Sequence, residues 1–263
     1  MSTPAPALVP MVLSGPEVLF GVQRITREPD GSLRSTQIAG PEITDASGRA
    51  QLAGLGVLID DVLGYAVNQA SAGWSVSTEI SVDVTGQLPS AGTVTCTGRA
   101  VHVDDAGALA KGEVLGAAGD VIARCVLRGR FTGRHPDDAA LGSGTSICPP
   151  DVDRRTIDQV LGPNVRRVRD GLRIEVTDRL LNPLGNLHGG MHLCLVERAG
   201  ALAVPELGST ASLRLQLVRG VPMDTVLAVR AKTLHRGRTL AVVHVAAQDQ
   251  EGRVCTLGTV VRH

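Results

Sequence analysis

The sequence predicts an α+β fold in which antiparallel sheets wrap around long apolar helices, twice along one chain. The chain repeats itself, each copy holds one apolar helix, and Gly-containing turns separate the strands that follow. At 263 residues, 43% of them hydrophobic, the chain is long enough for two core-forming units. We expect a first unit over residues 1–132, a linker over 133–150 and a second unit over 151–263.

The repeat is clearest in one loop and one helix of each copy. The segments 45–48 and 58–60 align with 182–185 and 195–197 at a constant offset of 137 residues. Their sequences are Asp-Ala-Ser-Gly and Leu-Ile-Asp in the first copy, and Asn-Pro-Leu-Gly and Leu-Val-Glu in the second. Elsewhere the offset drifts by a few residues, as insertions in loops would cause. Two copies of one unit therefore fill most of the chain.

Each copy shows the same order of elements. The hydrophobic pattern predicts a central helix over 54–70 in the first copy and over 190–204 in the second, where Pro205 stops it. A short helix over 153–161 opens the second copy. Turn residues and alternating hydrophobicity predict strands over 74–84, 93–103, 120–131, 209–218, 225–234, 239–248 and 253–261.

Composition excludes several functional classes. Lys plus Arg equals Asp plus Glu at 26 each, and aromatic residues are only 2%, so neither a net positive field nor base stacking favours nucleic-acid binding. No cationic leader and no apolar run long enough to cross a bilayer is present. Five cysteines occur without a CxxC pair, which is typical of free thiols in a reducing compartment. We expect a cytoplasmic protein with no membrane partner.

The most informative stretch starts at Asn182. A corner formed by His188, Gly189 and Gly190 begins six residues later, and the acid Glu197 lies nine residues after the histidine. This spacing resembles the PaaI-type branch of the hotdog thioesterases. The resemblance covers the second copy well and the first through the repeat. It implies a double hotdog, with two antiparallel sheets each wrapped around a long central helix, that hydrolyses acyl-CoA without a metal or organic cofactor.

Both copies depart from the family pattern. The second has Glu197 where family members usually have Asp. The first has Gln51-Leu52-Ala53 in place of the His-Gly-Gly corner but keeps an acid at Asp60. Asp61 is an alternative to Asp60, because a one-residue slip would give it the same role. Each copy therefore retains a different part of the site.

In the family, each site forms between two units, so the acid of one faces the glycine corner of the other. The resemblance therefore implies that Asp60 joins Asn182, His188 and Gly189 in the complete site. Glu197 would face the degenerate loop of the first copy. Asp60 is expected to matter more for activity than Glu197.

These residue types fit thioester hydrolysis. The backbone N–H of Gly189, at a helix N-terminus, would stabilise the oxyanion. The carboxylate would act as a general base or as a nucleophile, and the sequence leaves both routes open. By resemblance, Asn182 orients the thioester or water, and His188 shapes the loop and helps hold the carbonyl region. The family often has a hydroxyl on the next strand, for which Thr78 and Thr210 are the candidates.

Gly190 and two hairpin arginines, Arg236 and Arg238, are candidate substrate contacts, although a solvated basic face also explains such arginines. His188 and His192 are four residues apart, but no HExxH motif or nearby third ligand follows, so no metal site is expected.

Three functional hypotheses remain open at this stage. The first is a thioesterase acting on an acyl-CoA or acyl-carrier thioester, with double-hotdog units associating into a homo-oligomer. The second is a non-catalytic protein that binds acyl-CoA or an acyl carrier, which the losses in both copies favour. The third is a hotdog hydratase, whose usual Asp and His pairing is not visible in either copy.

Overall fold

A computed structural model describes residues 6–12, 14–70, 74–133, 141–142 and 155–263. Most of the predicted linker lies outside these residues, as does the start of the predicted helix 153–161, so the unit boundaries stay a prediction. The helices of the described part are α1 (Gly15–Phe20), α2 (Gly56–Asn68), α3 (Ile157–Leu161) and α4 (Gly189–Ala203). None of them is long and apolar enough to cross a membrane.

The strands of the same residues are short at the two ends of the fold and long in its middle. They are β1 (Ala7–Leu8), β2 (Met11–Val12), β3 (Thr26–Arg27), β4 (Leu33–Ala39), β5 (Ser75–Val84), β6 (Gly92–Val103), β7 (Gly107–Leu115), β8 (Val121–Phe131), β9 (Leu141–Gly142), β10 (Val165–Val168), β11 (Gly171–Glu175), β12 (Thr210–Leu217), β13 (Val226–Arg236), β14 (Ala241–Gln248) and β15 (Val254–Arg262).

Thirteen of these strands form one continuous sheet in the order β1-β3-β4-β6-β7-β8-β5-β12-β15-β14-β13-β11-β10, and its pairings are antiparallel. The two predicted sheets are the halves of this sheet, joined where β5 pairs with β12. At this junction Val82 lies opposite Leu213, and Ile80 lies opposite Leu215. All four side chains are fully buried. Because alternate residues of a strand share a face, the junction continues the apolar inner face from one half to the other.

The central helices α2 and α4 lie against this inner face and against each other. α2 contacts β6 and β7, whereas α4 contacts β13 and β14. Burial on most sides explains why both helices are apolar nearly all round. Glycine allows their close approach, because a Cβ on Gly190 would lie 2.5 Å from the carbonyl oxygen of Gly56. The N-terminus of α4 is therefore held directly on α2.

The loops before the two helices have the same hydrogen bonds. The Asp45 Oδ1 accepts the backbone N–H groups of residues 47 and 49, and the Asn182 Oδ1 accepts those of residues 184 and 186. Gly48 and Gly185 both have positive φ, at 80° and 76°. Each pair of positions is separated by the offset found in the sequence. The internal repeat is thus also a repeat of backbone geometry.

The predicted central helices agree with α2 and α4 to within two residues at each end. The strand β7 was not predicted, because its alanines and glycines have low strand propensity. Gly112 of β7 has a packing role, since a Cβ there would lie 2.8 Å from the Leu63 side chain, and a Cβ on Gly98 of the neighbouring strand β6 would lie 2.5 Å from it. The six-residue helix α1 was also missed.

Candidate active site

The candidate site is the contact between the first-half carboxylate Asp60 and the N-terminus of the second-half helix α4. The Asp60 Oδ2 accepts the backbone N–H of Gly190 at 2.9 Å, and its Oδ1 accepts the Ser77 hydroxyl at 2.7 Å. The side chain is 8% exposed and lines a cavity. Two donors thus hold the carboxylate at the cavity wall, beside the positive end of the helix dipole.

Gly189 lies at the first position of α4 and lines the same cavity. A Cβ at this position would lie 2.5 Å from the Asp60 Oδ2, so only glycine lets the carboxylate approach. Among the described residues, no acceptor binds the Gly189 N–H. This group is therefore available to a ligand. Gly190 differs from the expectation, because its N–H is bound to Asp60 and it packs on α2 instead of lining the cavity.

His188 is the N-cap of α4 and lies between two acids. Its Nδ1 accepts the Gly190 N–H at 3.0 Å and lies 3.2 Å from the Asp60 Oδ2, while its Nε2 lies 3.1 Å from the Asp61 Oδ1. Burial lowers the pKa of His188, but the hydrogen bond to Asp61 and the charges of both acids outweigh it, so the pKa is raised. In the imidazolium form, Nδ1–H would instead donate to Asp60.

The two neighbouring acids of α2 have different surroundings. Asp60 faces the glycine corner, whereas Asp61 lies behind His188, is 4% exposed and has Glu17 nearby. Burial, followed by the charge of Glu17, raises the pKa of Asp61. Of the two alternatives left by the sequence, Asp60 is the acid that contacts the N-terminus of α4.

Asn182 lines the cavity, but part of its side chain is committed to the loop. Its Oδ1 accepts the N–H groups of Leu184 at 3.0 Å and Asn186 at 3.1 Å. Its Nδ2 has no acceptor among the residues that the structure describes. Asn182 can therefore offer a substrate an N–H donor and no free acceptor.

The hydroxyl that contacts Asp60 belongs to Ser77 and not to Thr78. The Thr78 hydroxyl donates to the backbone carbonyl of Arg128 at 3.0 Å. The pairing of β5 with β8 shifts register between Ser77 and Glu79, which makes Thr78 the extra residue of a bulge. Thr78 lines the cavity as well, but its hydroxyl is committed to a backbone carbonyl, so Ser77 is the hydroxyl that supports Asp60 and a role for Thr78 stays a prediction.

Glu197 and Thr210 form a separate buried cluster with Arg262. The Glu197 Oε1 accepts the Thr210 hydroxyl at 2.5 Å and the Arg262 Nη1 at 2.9 Å. Arg262 also donates to the Leu207 carbonyl at 2.8 Å. Glu197 is 0% exposed and lines neither the Asp60 cavity nor a second cavity of 620 Å³ beside Thr210. The arrangement is that of a structural ion pair, contrary to the expectation of catalytic contacts for Glu197 and Thr210.

The cavity beside Asp60 has a volume of 280 Å³ and both polar and apolar walls. The arginines at this cavity are Arg130 and Arg219, both exposed. The expected pair is elsewhere: Arg236 forms an ion pair with Glu206 at 2.8 Å, and neither it nor Arg238 lines the cavity. Arg130 was missed because the sequence does not reveal that its strand β8 lies beside β5.

His192 lines the cavity one helical turn after His188 but does not pair with it for a metal. Its Nδ1 lies 2.7 Å from the Thr256 hydroxyl. Burial, followed by the charge of His188, lowers the pKa of His192 to about 3. His192 is therefore a neutral polar group of the cavity wall.

A comparison with known families finds a match in the second half. Residues 184–256 match the family model of the thioesterase superfamily. The matched segment contains His188 and Gly189 but not Asp60, which the first half supplies. No curated protein matches the sequence.

Solved structures resemble the chain over most of its length. An acyl-ACP thioesterase from Bacteroides thetaiotaomicron aligns with a TM-score of 0.63 at 11% identity, covering 88% of this chain and 98% of that one. A 12:0-ACP thioesterase from Umbellularia californica aligns with a TM-score of 0.62 at 12% identity, covering 88% and 94%. The tesB protein of Mycobacterium avium subs paratuberculosis aligns with a TM-score of 0.58 at 7% identity, covering 88% and 92%. At such identities these likenesses establish the fold, and they confirm the predicted α+β hotdog class.

Proposed function

We propose that this chain is a thioesterase of the PaaI type, built as a tandem double hotdog, that hydrolyses acyl-CoA. The main support is the contact between the Asp60 carboxylate and the N-terminus of α4, at a cavity where the Gly189 N–H is available. The superfamily match to the second half supports the same reaction class. We also propose, from the sequence, that the protein is cytoplasmic and that its double-hotdog units form a homo-oligomer. Light scattering tests the oligomeric state.

In this proposal the thioester carbonyl binds against the Gly189 N–H, which stabilises the negative charge that develops on its oxygen. Asp60 either removes a proton from the attacking water or attacks the carbonyl itself. Ser77 holds the carboxylate, and the Asn182 amide orients the thioester. The leaving thiol has an ordinary pKa of about 8.5, so the thiolate leaves without a dedicated acid. In the nucleophilic route Asp60 forms a mixed anhydride with the acyl group as the thiolate leaves, and water then hydrolyses this anhydride. A single turnover in H₂¹⁸O that places label in Asp60 would establish this route, because water never bonds to Asp60 in the general-base route.

Release of free thiol from short, long, aromatic and polar acyl-CoA esters, and from the matching acyl-carrier thioesters, tests the proposal. We expect turnover with at least one acyl-CoA. Tight binding of acyl-CoA without thiol release would instead support the non-catalytic binding protein. Hydration of an enoyl-CoA without thiol release would support a hydratase.

The two hydroxyls next to each other on β5 give a matched comparison. We expect Ser77→Ala to lower kcat by about 10-fold or more, because a hydrogen bond to a charged group is lost. Thr78→Val should leave kcat nearly unchanged, because the Thr78 hydroxyl is bonded to a backbone carbonyl. Steady-state kinetics of both variants checks this, and a larger effect of Thr78→Val would contradict the placement of Ser77 in the site.

The cavity arginines are proposed to bind the phosphates of CoA, because guanidinium groups bind phosphate strongly. We expect Arg130→Gln and Arg219→Gln each to raise KM by about 10-fold with little change in kcat. Arg236→Gln and Arg238→Gln are the controls, since neither residue lines the cavity. If the control variants raised KM as much as the two cavity variants, general surface charge and not a local contact would attract the substrate.

A further inference from the structure

Three buried side chains beside the catalytic cavity form a cluster that the proposed hydrolysis does not use as a unit. One ligand atom each of Glu17, Asp61 and His188 lies within 4.8 Å of the others. Their exposed fractions are 1%, 4% and 4%. Glu17 reaches the cluster from α1, and its carboxylate accepts the Ser14 hydroxyl. Glu17, Asp61 and His188 all line the cavity, so a small ion has a route to them.

The second observation is an unsatisfied acceptor in the same cluster. The Asp61 Oδ2 is buried and has no hydrogen-bond partner among the described residues. A buried carboxylate oxygen without a donor is costly unless a proton or a cation binds to it. Two further carboxylates, Glu17 and Asp60, are buried nearby. Three buried carboxylates, Glu17, Asp60 and Asp61, therefore lie around the one imidazole of His188.

The arrangement around His188 matches that of a metal-bound histidine. Ligating histidines usually present their second ring nitrogen to a carboxylate, which fixes the ring and increases its basicity. Here the His188 Nδ1 lies 3.2 Å from the Asp60 Oδ2, while the Nε2 faces Asp61 at 3.1 Å. Nε2 would thus be the ligand atom and Asp60 the supporting carboxylate.

We propose that Glu17, Asp61 and His188 bind a divalent transition-metal cation of the Zn²⁺ class. Two carboxylates and an imidazole are a suitable ligand set for Zn²⁺, with the fourth position open to the cavity. At Zn–ligand bonds of about 2.0–2.1 Å, neighbouring ligand atoms lie about 3.4 Å apart. Asp61 and His188 already lie 3.1 Å apart, and the Glu17 carboxylate, within 4.8 Å of both, would have to move closer for the metal to be bound by all three. Binding through Nε2 would place the imidazole proton on Nδ1, which would then donate to Asp60, and the Gly190 N–H, now shared between the two, would keep the Asp60 Oδ2 as its acceptor.

Metal binding to the full-length chain tests this without any thioester. After removal of metal with EDTA, titration with ZnCl₂ by calorimetry should give one site. Loss of a supporting carboxylate alone typically costs about 10–100-fold in metal affinity. We therefore expect Glu17→Gln and Asp61→Asn, as directly ligating residues, each to weaken binding by more than about 100-fold. Glu206→Gln, a surface carboxylate paired with Arg236, is the matched control and should bind as the wild type does.

Co²⁺ substitution reports the coordination number and the type of donor atom independently. We expect visible d–d bands of a four-coordinate N/O site, without the sulfur-to-metal charge-transfer band that a cysteine site would give. Circular dichroism establishes that each variant is folded before its affinity is compared. Absence of Zn²⁺ binding by the folded wild type, or binding that survives in both cluster variants, overturns the proposal and leaves a proton on Asp61. Neither result bears on thioester hydrolysis, which the thiol-release assay tests separately.

Discussion

Asp60→Asn is expected to lower kcat for thioester hydrolysis by about 10²–10⁴-fold, the usual contribution of a positioned general base. Asparagine has nearly the same shape, and its Oδ1 can still accept the Gly190 N–H. The fold and the substrate cavity should therefore persist while the basic or nucleophilic oxygen is lost. Steady-state kinetics on an acyl-CoA that the wild type hydrolyses gives the measurement, and the melting temperature gives the check on folding.

Asp61→Asn is the matched control for this variant, because the two acids are adjacent on α2. Asp61 bonds to His188 but not to the backbone N–H groups of Gly189 and Gly190, so we expect a smaller loss of kcat, caused by the altered position of His188. If Asp61→Asn were the more damaging change in kcat, Asp60 would not be the reacting carboxylate. A wild-type rate in Asp60→Asn would remove the proposed mechanism.

Glu197→Ala is expected to destabilise the fold by about 3–5 kcal/mol, because it leaves the buried guanidinium of Arg262 without its counter-charge. Arg262 is only 2% exposed, and burial already lowers its pKa. The Thr210 hydroxyl also loses its acceptor. The free energy of unfolding from urea denaturation measures the effect.

The double variant Glu197→Leu/Arg262→Met separates the ion pair from simple packing. Replacing both charges by apolar groups of similar volume is often neutral or stabilising. We expect the double variant to recover most of the stability lost in Glu197→Ala and to hydrolyse thioesters at close to the wild-type rate when folded. A double variant that folds but has no activity would show that Glu197 is needed for catalysis, as the sequence indicated.

Sequence patterns identified the parts of the fold that local hydrophobicity determines. The two central helices, the loops related by the internal repeat and most strands follow from hydrophobic periodicity and turn residues. The strand β7 did not, because the close packing of Leu63 requires glycine at position 112. Tertiary packing overrode strand propensity there.

Only the part of the candidate site that belongs to a sequence motif could be predicted. The glycine corner and Asp60 were found through spacing and the repeat. Ser77 was hidden by the bulge at Thr78, and Glu17 comes from a helix too short for periodicity to reveal. Glu197 could not be recognised as a structural residue, because Arg262 lies 65 positions away and meets it only through folding.

The pairing of β5 with β12 has a consequence for how the site responds to concentration. Two separate hotdog subunits would lose a shared site on dilution, whereas here both contributors belong to one polypeptide whose sheet is hydrogen-bonded across the junction. Tethering makes their meeting an intramolecular event with a high effective concentration. Asp60 and the N-terminus of α4 should therefore remain in contact at any protein concentration.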